Sequence, residues 1–450
     1  MTFRDGVGQM KKAYTFLLAF HICTLTLLVV RPAPTKAVAA NTLPHTFLLD
    51  PEALATTKVR VQAGDPEIIP ALAGLVTAAN AALKAGPYSV TDKLQMPPSD
   101  DRHDYLSQAP YYWPDPSKPD GSPYVHRDGE HNPEADKIPD HENVTGMVRN
   151  VQTLSLAYFL TGDERYAGRT TLLLRTWFLG PKTRMNPNMN YAQFIPGQRE
   201  GRGAGLIDLH HFDSIGDAIG LLAGSKAWTE ADQKEMQTWF GQYLDWLQTS
   251  KNGKHEAAAE NNQGTFYDTQ VIAISLFLGK KNLAQQVALE GRTKRIARQI
   301  EPDGGQPMEL RRTNAWSYSL FNLQALFDLA SLSERAGVNV WHYDTADGRT
   351  IRRALDYVIP FAIDPKTWPH KQIRSWSNDG LVPLLYQAAI KYKDTSYLDL
   401  CRRILRDRLL PDRANLLYAP AWPVSNHQLR PQEKGGAVRS SEEEQVEGSP

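Results

Sequence analysis

A helix-ending turn recurs along the chain and limits the fold more than any other feature. Phe159-Leu160-Thr161-Gly162-Asp163-Glu164-Arg165-Tyr166-Ala167 reads as the apolar end of one helix, a polar turn and the start of the next. Phe277-Leu278-Gly279-Lys280-Lys281-Asn282-Leu283-Ala284 repeats the pattern, and Tyr392-Lys393-Asp394-Thr395-Ser396-Tyr397-Leu398 is a looser third copy. Helix hairpins of this kind bury their apolar faces by stacking on one another, which predicts an all-α solenoid or toroid of helix pairs.

Apolar spacing places the individual helices. Ile68, Ile69, Leu72, Leu75, Val76 and Ala79 mark one after a short leader, and Met147, Val151, Leu154 and Tyr158 share a face of another. Thr229 with Asp232 three residues on is a helix start, followed by the stripe Met236, Trp239, Phe240, Tyr243 and Leu247. Further helices are expected over 266–278, 283–299, 314–336, 349–362, 380–392 and 396–409. Residues 86–142 differ: Pro97, Pro98, Pro110, Pro114, Pro116, Pro119, Pro123, Pro133 and Pro139 forbid long helices there. The aromatics Tyr105, Tyr111, Tyr112, Trp113 and Tyr124 argue against disorder, so this reads as an extended segment wrapped on the core. Flat rings suit sugar faces, and Tyr112 and Trp113 are candidate contacts, though packing explains them equally well.

The ends of the chain carry a different message. Lys11 and Lys12 precede an apolar run from Ala13 to Val30 and the small-residue stretch Ala37-Val38-Ala39-Ala40, which predicts a secretory signal peptide over 1–40 and a periplasmic or secreted protein. A membrane anchor is the alternative reading of that run. Residues 41–425 are expected to form the folded domain and 426–450, with Glu442-Glu443-Glu444, a disordered polar tail. Cleavage would remove Cys23 and leave Cys401 alone, so no internal disulfide is expected. The chain has 50 basic and 50 acidic residues. Since Arg4, Lys11, Lys12, Arg31 and Lys36 face only Asp5 in the leader, the remainder is slightly acidic. A polyanion would have to be drawn by a local basic cleft. No basic run suggests nucleic acid, no Cys/His spacing suggests zinc, and no metal or cofactor is expected. The chain is expected to be a monomer, with no membrane partner after cleavage.

Polar residues interrupt two of the helical patterns. The first reads Asn261-Asn262-Gln263-Gly264-Thr265-Phe266-Tyr267-Asp268, the second Glu309-Leu310-Arg311-Arg312-Thr313-Asn314-Ala315-Trp316-Ser317-Tyr318. Arginine and amides can grip a carboxylate, and a phenol can both accept and give a proton. Together with their spacing, these motifs resemble the alginate lyase superfamily of α/α-toroid polysaccharide lyases, closest to the branch acting on polymannuronate and glucuronan. The resemblance spans residues 95–410. It departs at Gln263, where the family reads Asn-Asn-His.

The resemblance implies β-elimination on a uronate polymer. The proton beside the carboxylate is hard to remove, because the intermediate adds a second negative charge, so the carboxylate must first be neutralised by placed donors. By motif position Asn262, Gln263 and Arg312 form that clamp, with Arg311 a weaker candidate, and Tyr318 is both base and acid. Glutamine cannot take a proton, so a single tyrosine must act on one face of the sugar, which suits mannuronate or glucuronate better than guluronate. His211, after the Gly-rich loop Gly201-Arg202-Gly203-Ala204-Gly205, is the second choice for proton handling. Asn190, Tyr191, Gln193, Arg202, Tyr267, His141 and Asn143 are candidate sugar contacts, with Arg149 near the last two; capping explains Asn143 nearly as well. Two rival readings stand beside this one. A toroid glycoside hydrolase would need two carboxylates, for which Asp208, Asp268, Glu260 and Glu309 are available. A periplasmic polysaccharide-binding protein would be the impaired descendant of a lyase.

Overall fold

The computed structural model describes residues 43–405 and 412–418; the expected signal peptide and polar tail fall outside them. Helix α1 (Pro51–Gln62) begins where Asp50 accepts from the backbone N–H groups of Glu52 and Ala53. The sequence reading allows only a leader here, because α1 buries just Leu54 and Thr57 and so shows little periodicity. After α2 (Ile69–Ala82) and the proline-rich segment comes the first hairpin, α3 (Asp140–Thr161) and α4 (Glu164–Leu174). It turns at Gly162, whose φ of 73° suits glycine, and α4 starts on the Asp163 cap.

Helices α5 (Ile215–Leu221), α6 (Glu230–Thr249) and α7 (Lys251–Ala257) follow, and Thr229 and Asp232 cap α6 reciprocally, as the sequence predicts. The second hairpin is α8 (Asn262–Phe277) and α9 (Lys281–Gly291). The helix expected over 283–299 runs on from α9 through a wider π turn at Arg292–Ile296 into the short α10 (Ala297–Gln299), and α11 (Pro307–Leu310) follows. The chain continues through α12 (Ala315–Arg335), α13 (Ile351–Ile363), α14 (Leu381–Lys391), α15 (Ser396–Leu405) and α16 (Ala414–Leu417).

Two apolar clusters result, one mainly among the helices before α8, joined by Leu416 of α16, and one mainly among those after it, joined by Phe47. Tyr267, Val271 and Ile274 of α8 join the first, with Trp177, Phe240 and Tyr243, while Ile272, Ala273 and Leu276 join the second, with Trp316, Phe327 and Leu385. A helix that feeds two cores is buried nearly all round, and α8 is, with its polar Thr265, Asp268, Thr269 and Gln270 partnered inside. Polar side chains can then escape only at its N-terminal end.

The proline-rich segment is ordered by long-range contacts. Lys93 Nζ meets Asp140 Oδ2 at 2.9 Å with both side chains fully buried, and Asp140 also accepts from Leu106 N–H at 2.9 Å. Strand β1 (Leu106–Gln108) pairs in parallel with β4 (Tyr191–Phe194), while β2 (Tyr112–Trp113) and β3 (Val125–His126) form an antiparallel ribbon. Strands this short show no alternation in sequence.

Candidate active site

The N-terminus of α8, the turn into α12, the inner face of α3 and the proline-rich segment enclose a cavity of about 910 Å³. Its wall includes Asn262, Gln263, Arg312 and Tyr318, so the two motifs converge although nearly fifty residues separate them.

Arg312 is fixed from two sides. Its Nε and Nη2 donate to Asp128 Oδ1 at 2.9 and 2.6 Å, and its guanidinium lies 3.7 Å from the centre of the Tyr318 ring. Thr313 N–H and hydroxyl also donate to Asp128. Burial would raise the Asp128 pKa, but these donors and the Arg312 charge hold it at about 2. The Arg312 Nη1 makes no hydrogen bond among the described residues, which leaves one edge of a fixed cation open. The Tyr318 hydroxyl stands 3.0 Å from the Tyr111 hydroxyl. Burial pushes the Tyr318 phenol above its ordinary value, and the stacked Arg312 charge pulls it back.

Asn262 differs from expectation. Its backbone N–H and its Nδ2 donate to the buried Glu309 carboxylate at 2.8 and 2.9 Å, so its donors are committed inside the protein and it ties α8 to α11. Gln263, one residue on, is half-buried on the wall, and its amide has no partner among the described residues. It is the open amide of the pair.

A second network backs the cavity. Asp208 accepts from Tyr105 at 3.0 Å, Ser107 at 2.6 Å and Gln193 Nε2 at 2.7 Å, with His141 Nδ1 at 3.7 Å. Gln193 takes a left-handed φ of 46°, a strained conformation, and its Oε1 accepts from Arg202 at 2.9 Å. Arg202 also donates to the Tyr112 hydroxyl at 3.2 Å. Gln193, Arg202 and His141 therefore stand on the wall as expected, while Tyr112 supports Arg202 from behind.

The histidine assignment shifts by one residue. His210, rather than His211, forms the wall; His211 stacks behind it at 3.7 Å between ring centres. His210 Nδ1 lies 2.7 Å from the Ile207 carbonyl, which can only accept, so Nδ1 carries the proton and Nε2 is bare. Burial beside Phe266 and Phe321 lowers its pKa well below the ordinary value and keeps the ring neutral.

Six further expected contacts lie off the wall. The Tyr267 hydroxyl is buried against the Leu247 carbonyl at 3.2 Å, because the second half of its motif faces the core. Asn143 reaches the Ser89 carbonyl at 3.4 Å, Trp113 donates to the Glu130 carbonyl at 3.0 Å, and Asn190 accepts from Trp246 at 3.0 Å. Arg311 points outward, donating to the Pro307 carbonyl at 3.1 Å, and Tyr191 serves β4. The sequence reading assigns no site role to Tyr111, Asp128, His210 and Arg374, which line the wall, and offers Glu309, which lies behind it, only as a hydrolase carboxylate. Asp128 had a local signal in Asp128-Gly129: Gly129 has φ 76°, and a Cβ there would meet Thr313 Oγ1 at 2.3 Å. Its partner lies 184 residues away, beyond any local pattern.

Comparison with known proteins identifies the family and the fold. The alginate lyase family model matches residues 89–368. An alginate lyase from Bacteroides ovatus superposes with a TM-score of 0.80 at 40% identity, over 84% of this chain and 99% of its own. Alginate lyase A1-III from Sphingomonas species A1 gives 0.51 at 16% identity, over 84% and 97%. A variant of alginate lyase A1-III complexed with a tetrasaccharide gives 0.57 at 15%, over 86% and 98%. At that identity the last two show the shared fold alone. No curated protein matches the chain. A family model that covers well over half the sequence, and a relative at 40% identity along almost its entire length, place the chain in the alginate lyase family, as a polysaccharide lyase with the α/α toroid fold.

Proposed function

We propose that the chain cleaves a β-linked uronate polymer, polymannuronate or glucuronan in type, by syn β-elimination at Tyr318. The observation that carries this is the Tyr318 hydroxyl on the cavity wall, its ring stacked 3.7 Å from a guanidinium and its oxygen 3.0 Å from a second phenol.

In this mechanism the substrate carboxylate lies against the Gln263 amide and the open Nη1 edge of Arg312. Both can strengthen their hydrogen bonds as charge moves from C5 onto the carboxylate. The Tyr318 phenolate, held by the Arg312 charge and the Tyr111 hydroxyl, takes H5. The C5–H electrons form the C4–C5 double bond, the C4–O bond breaks, and the departing oxygen takes the proton that Tyr318 has just gained. One group can serve both steps only where H5 and the C4 oxygen share a face, as in mannuronate and glucuronate. Asn262 holds the start of α8 through Glu309, and the bare His210 Nε2 can accept from a sugar hydroxyl.

The hydrolase reading finds little support on the wall. Of its four carboxylates Asp208 lines the cavity, while Asp268 is paired with Arg295, Glu309 with Asn262 and Glu260 with Arg298. An export signal over 1–40 suits a polymer that must be met outside the cytoplasm. The test is incubation with pure polymannuronate, glucuronan and polyguluronate, following the ultraviolet absorbance of the unsaturated product. Unsaturated ends from the first or second polymer support the proposal. Saturated products, binding without turnover, or efficient cleavage of polyguluronate would overturn it.

A further inference from the structure

Four arginines stand on the cavity wall, and they fall into two kinds. Arg202 is held by Gln193 and Tyr112, and Arg312 by Asp128, with its Nη1 edge left for the sugar that is cleaved. Arg149 and Arg374 are exposed, and their guanidinium groups have no hydrogen-bond or carboxylate partner among the described residues. Several exposed arginines on the outer surface are paired by contrast: Arg165 meets Asp163 at 2.6 Å and Arg352 meets Asp394 at 2.6 Å. A bare guanidinium in a concave wall projects its field into the cavity, and its planar fork fits a carboxylate.

The two sit on different elements. Glu142, Thr145, Gly146 and Arg149 all line the cavity and lie three, four and seven residues apart, which is one face of α3. Arg374 belongs to an extended stretch clamped along the turn into α12: its backbone N–H donates to Asn314 Oδ1 at 2.9 Å, and Gln372 bridges to Asn314. That turn also carries Arg312. The wall's acids do not cancel these cations. Asp128 is taken by Arg312, Asp136 lies 2.9 Å from His131, and Asp208 accepts from Tyr105, Ser107 and Gln193. Glu142 stays open, about 10 Å along α3 from Arg149, and would exclude an acidic group from its own end. A cavity of about 910 Å³ is also at the upper end of ligand-sized sites, larger than one sugar ring requires.

From these observations the geometry points to two flanking carboxylate subsites, Arg149 and Arg374, which grip the acidic groups of sugars neighbouring the one that is cleaved. The inference rests on the uronate reading above and deepens it by assigning the residues that hold the sugars on either side of the cleaved one.

The test uses the full chain carrying Tyr318→Phe, so that oligomannuronates bind without being consumed, with affinity read by calorimetry. Arg149→Ala and Arg374→Ala should each weaken the hexasaccharide by about tenfold or more, the value of a charge-assisted contact. The mannuronate monosaccharide, which cannot reach a flanking position, should bind each variant as it binds the parent. Arg149→Lys and Arg374→Lys should recover part of the loss, because charge survives although the planar fork does not. In chains that retain Tyr318, the alanine variants should raise KM for the polymer far more than they lower kcat. A double alanine variant that binds the hexasaccharide as tightly as its parent would overturn the inference. Hexasaccharide consumed by the Tyr318→Phe chain would count against the proposed mechanism alone, and the arginine variants would then be compared through KM for the polymer, so the two failures are distinguishable.

Discussion

Arg295 and Asp268 meet at 2.7 Å in the helical core, and Arg312 and Asp128 meet at 2.6 Å beside the cavity. The chemistry is the same, yet the surroundings differ. In the core pair the side chains are 2% and 7% exposed, and the remaining Arg295 donors go to the Ala257 and Ala259 carbonyls. Gly264 is packed so closely that a Cβ would lie 2.4 Å from the Arg295 Nη1. Nothing of that cation is left to offer a ligand. In the cavity pair the side chains are 24% and 22% exposed, Nη1 is open, and the guanidinium face carries the Tyr318 ring. An arginine with every nitrogen bonded inside the core holds the fold together; one with a free edge in a cavity can take part in chemistry.

The largest effect should fall on the residue stacked on the cavity pair. Tyr318→Phe keeps the ring on Arg312 and removes only the hydroxyl, so turnover should drop by about 10³-fold or more while circular dichroism and melting stay near wild type. Asp268→Asn should do the reverse. Leaving the Arg295 charge buried without its partner costs about 3–5 kcal/mol, seen in denaturant unfolding, while kcat per folded molecule changes little. If Asp268→Asn abolishes turnover in a stably folded chain, the two pairs are not separated as argued.

Asp128→Asn frees Arg312 from its anchor and should lower kcat/KM by about 10–100-fold with a small change in melting, because this pair is partly exposed. Asp128 also carries a pH signature. Its pKa is held at about 2 against an ordinary 3.8, so its contribution is present above about pH 4 and is lost as pH falls towards 2. The melting difference between wild type and Asp128→Asn should shrink across that window. On the alkaline side, burial keeps the Tyr318 phenol above its ordinary 10.0, so its base form is scarce at neutral pH. Log(kcat/KM) should then climb by about one per pH unit through the neutral range, and a flat profile would contradict Tyr318 as base.

The smallest effect concerns an acid that neither pair satisfies. Glu256 is buried near Arg202 and Arg295, its carboxylate oxygens have no hydrogen-bond partner among the described residues, and burial pushes its pKa from 4.5 up to about 8. A raised carboxyl contributes stability in full below 4.5 and loses it as pH rises through 8. Glu256→Gln should therefore raise the melting temperature relative to wild type at alkaline pH and not at pH 4. A difference that is constant with pH would count against this account.

The hairpins, the Thr229 cap and the long helices after α8 were legible because each depends on neighbours a few residues away. The motif residues were legible as a set, but their division was not. In Asn262-Gln263 and Arg311-Arg312, adjacent side chains point to opposite sides of a turn, and only the packing of Glu309 and Asp128 decides which one faces the cavity. His210 and His211 divide in the same way, on a short helical stretch kinked at Leu209. Tyr111 and Asp128 could be read as aromatic and turn residues. Their roles depend on contacts with residues 207 and 184 positions away, which no local pattern encodes.

The most direct test of the central claim is a crystal structure of Tyr318→Phe soaked with a mannuronate tetrasaccharide. The account predicts one sugar with its carboxylate against the Gln263 amide and the Arg312 Nη1, and with C5–H and the C4 oxygen both turned towards the edge of residue 318. A carboxylate held elsewhere, or a ring presenting its opposite face to residue 318, would contradict it.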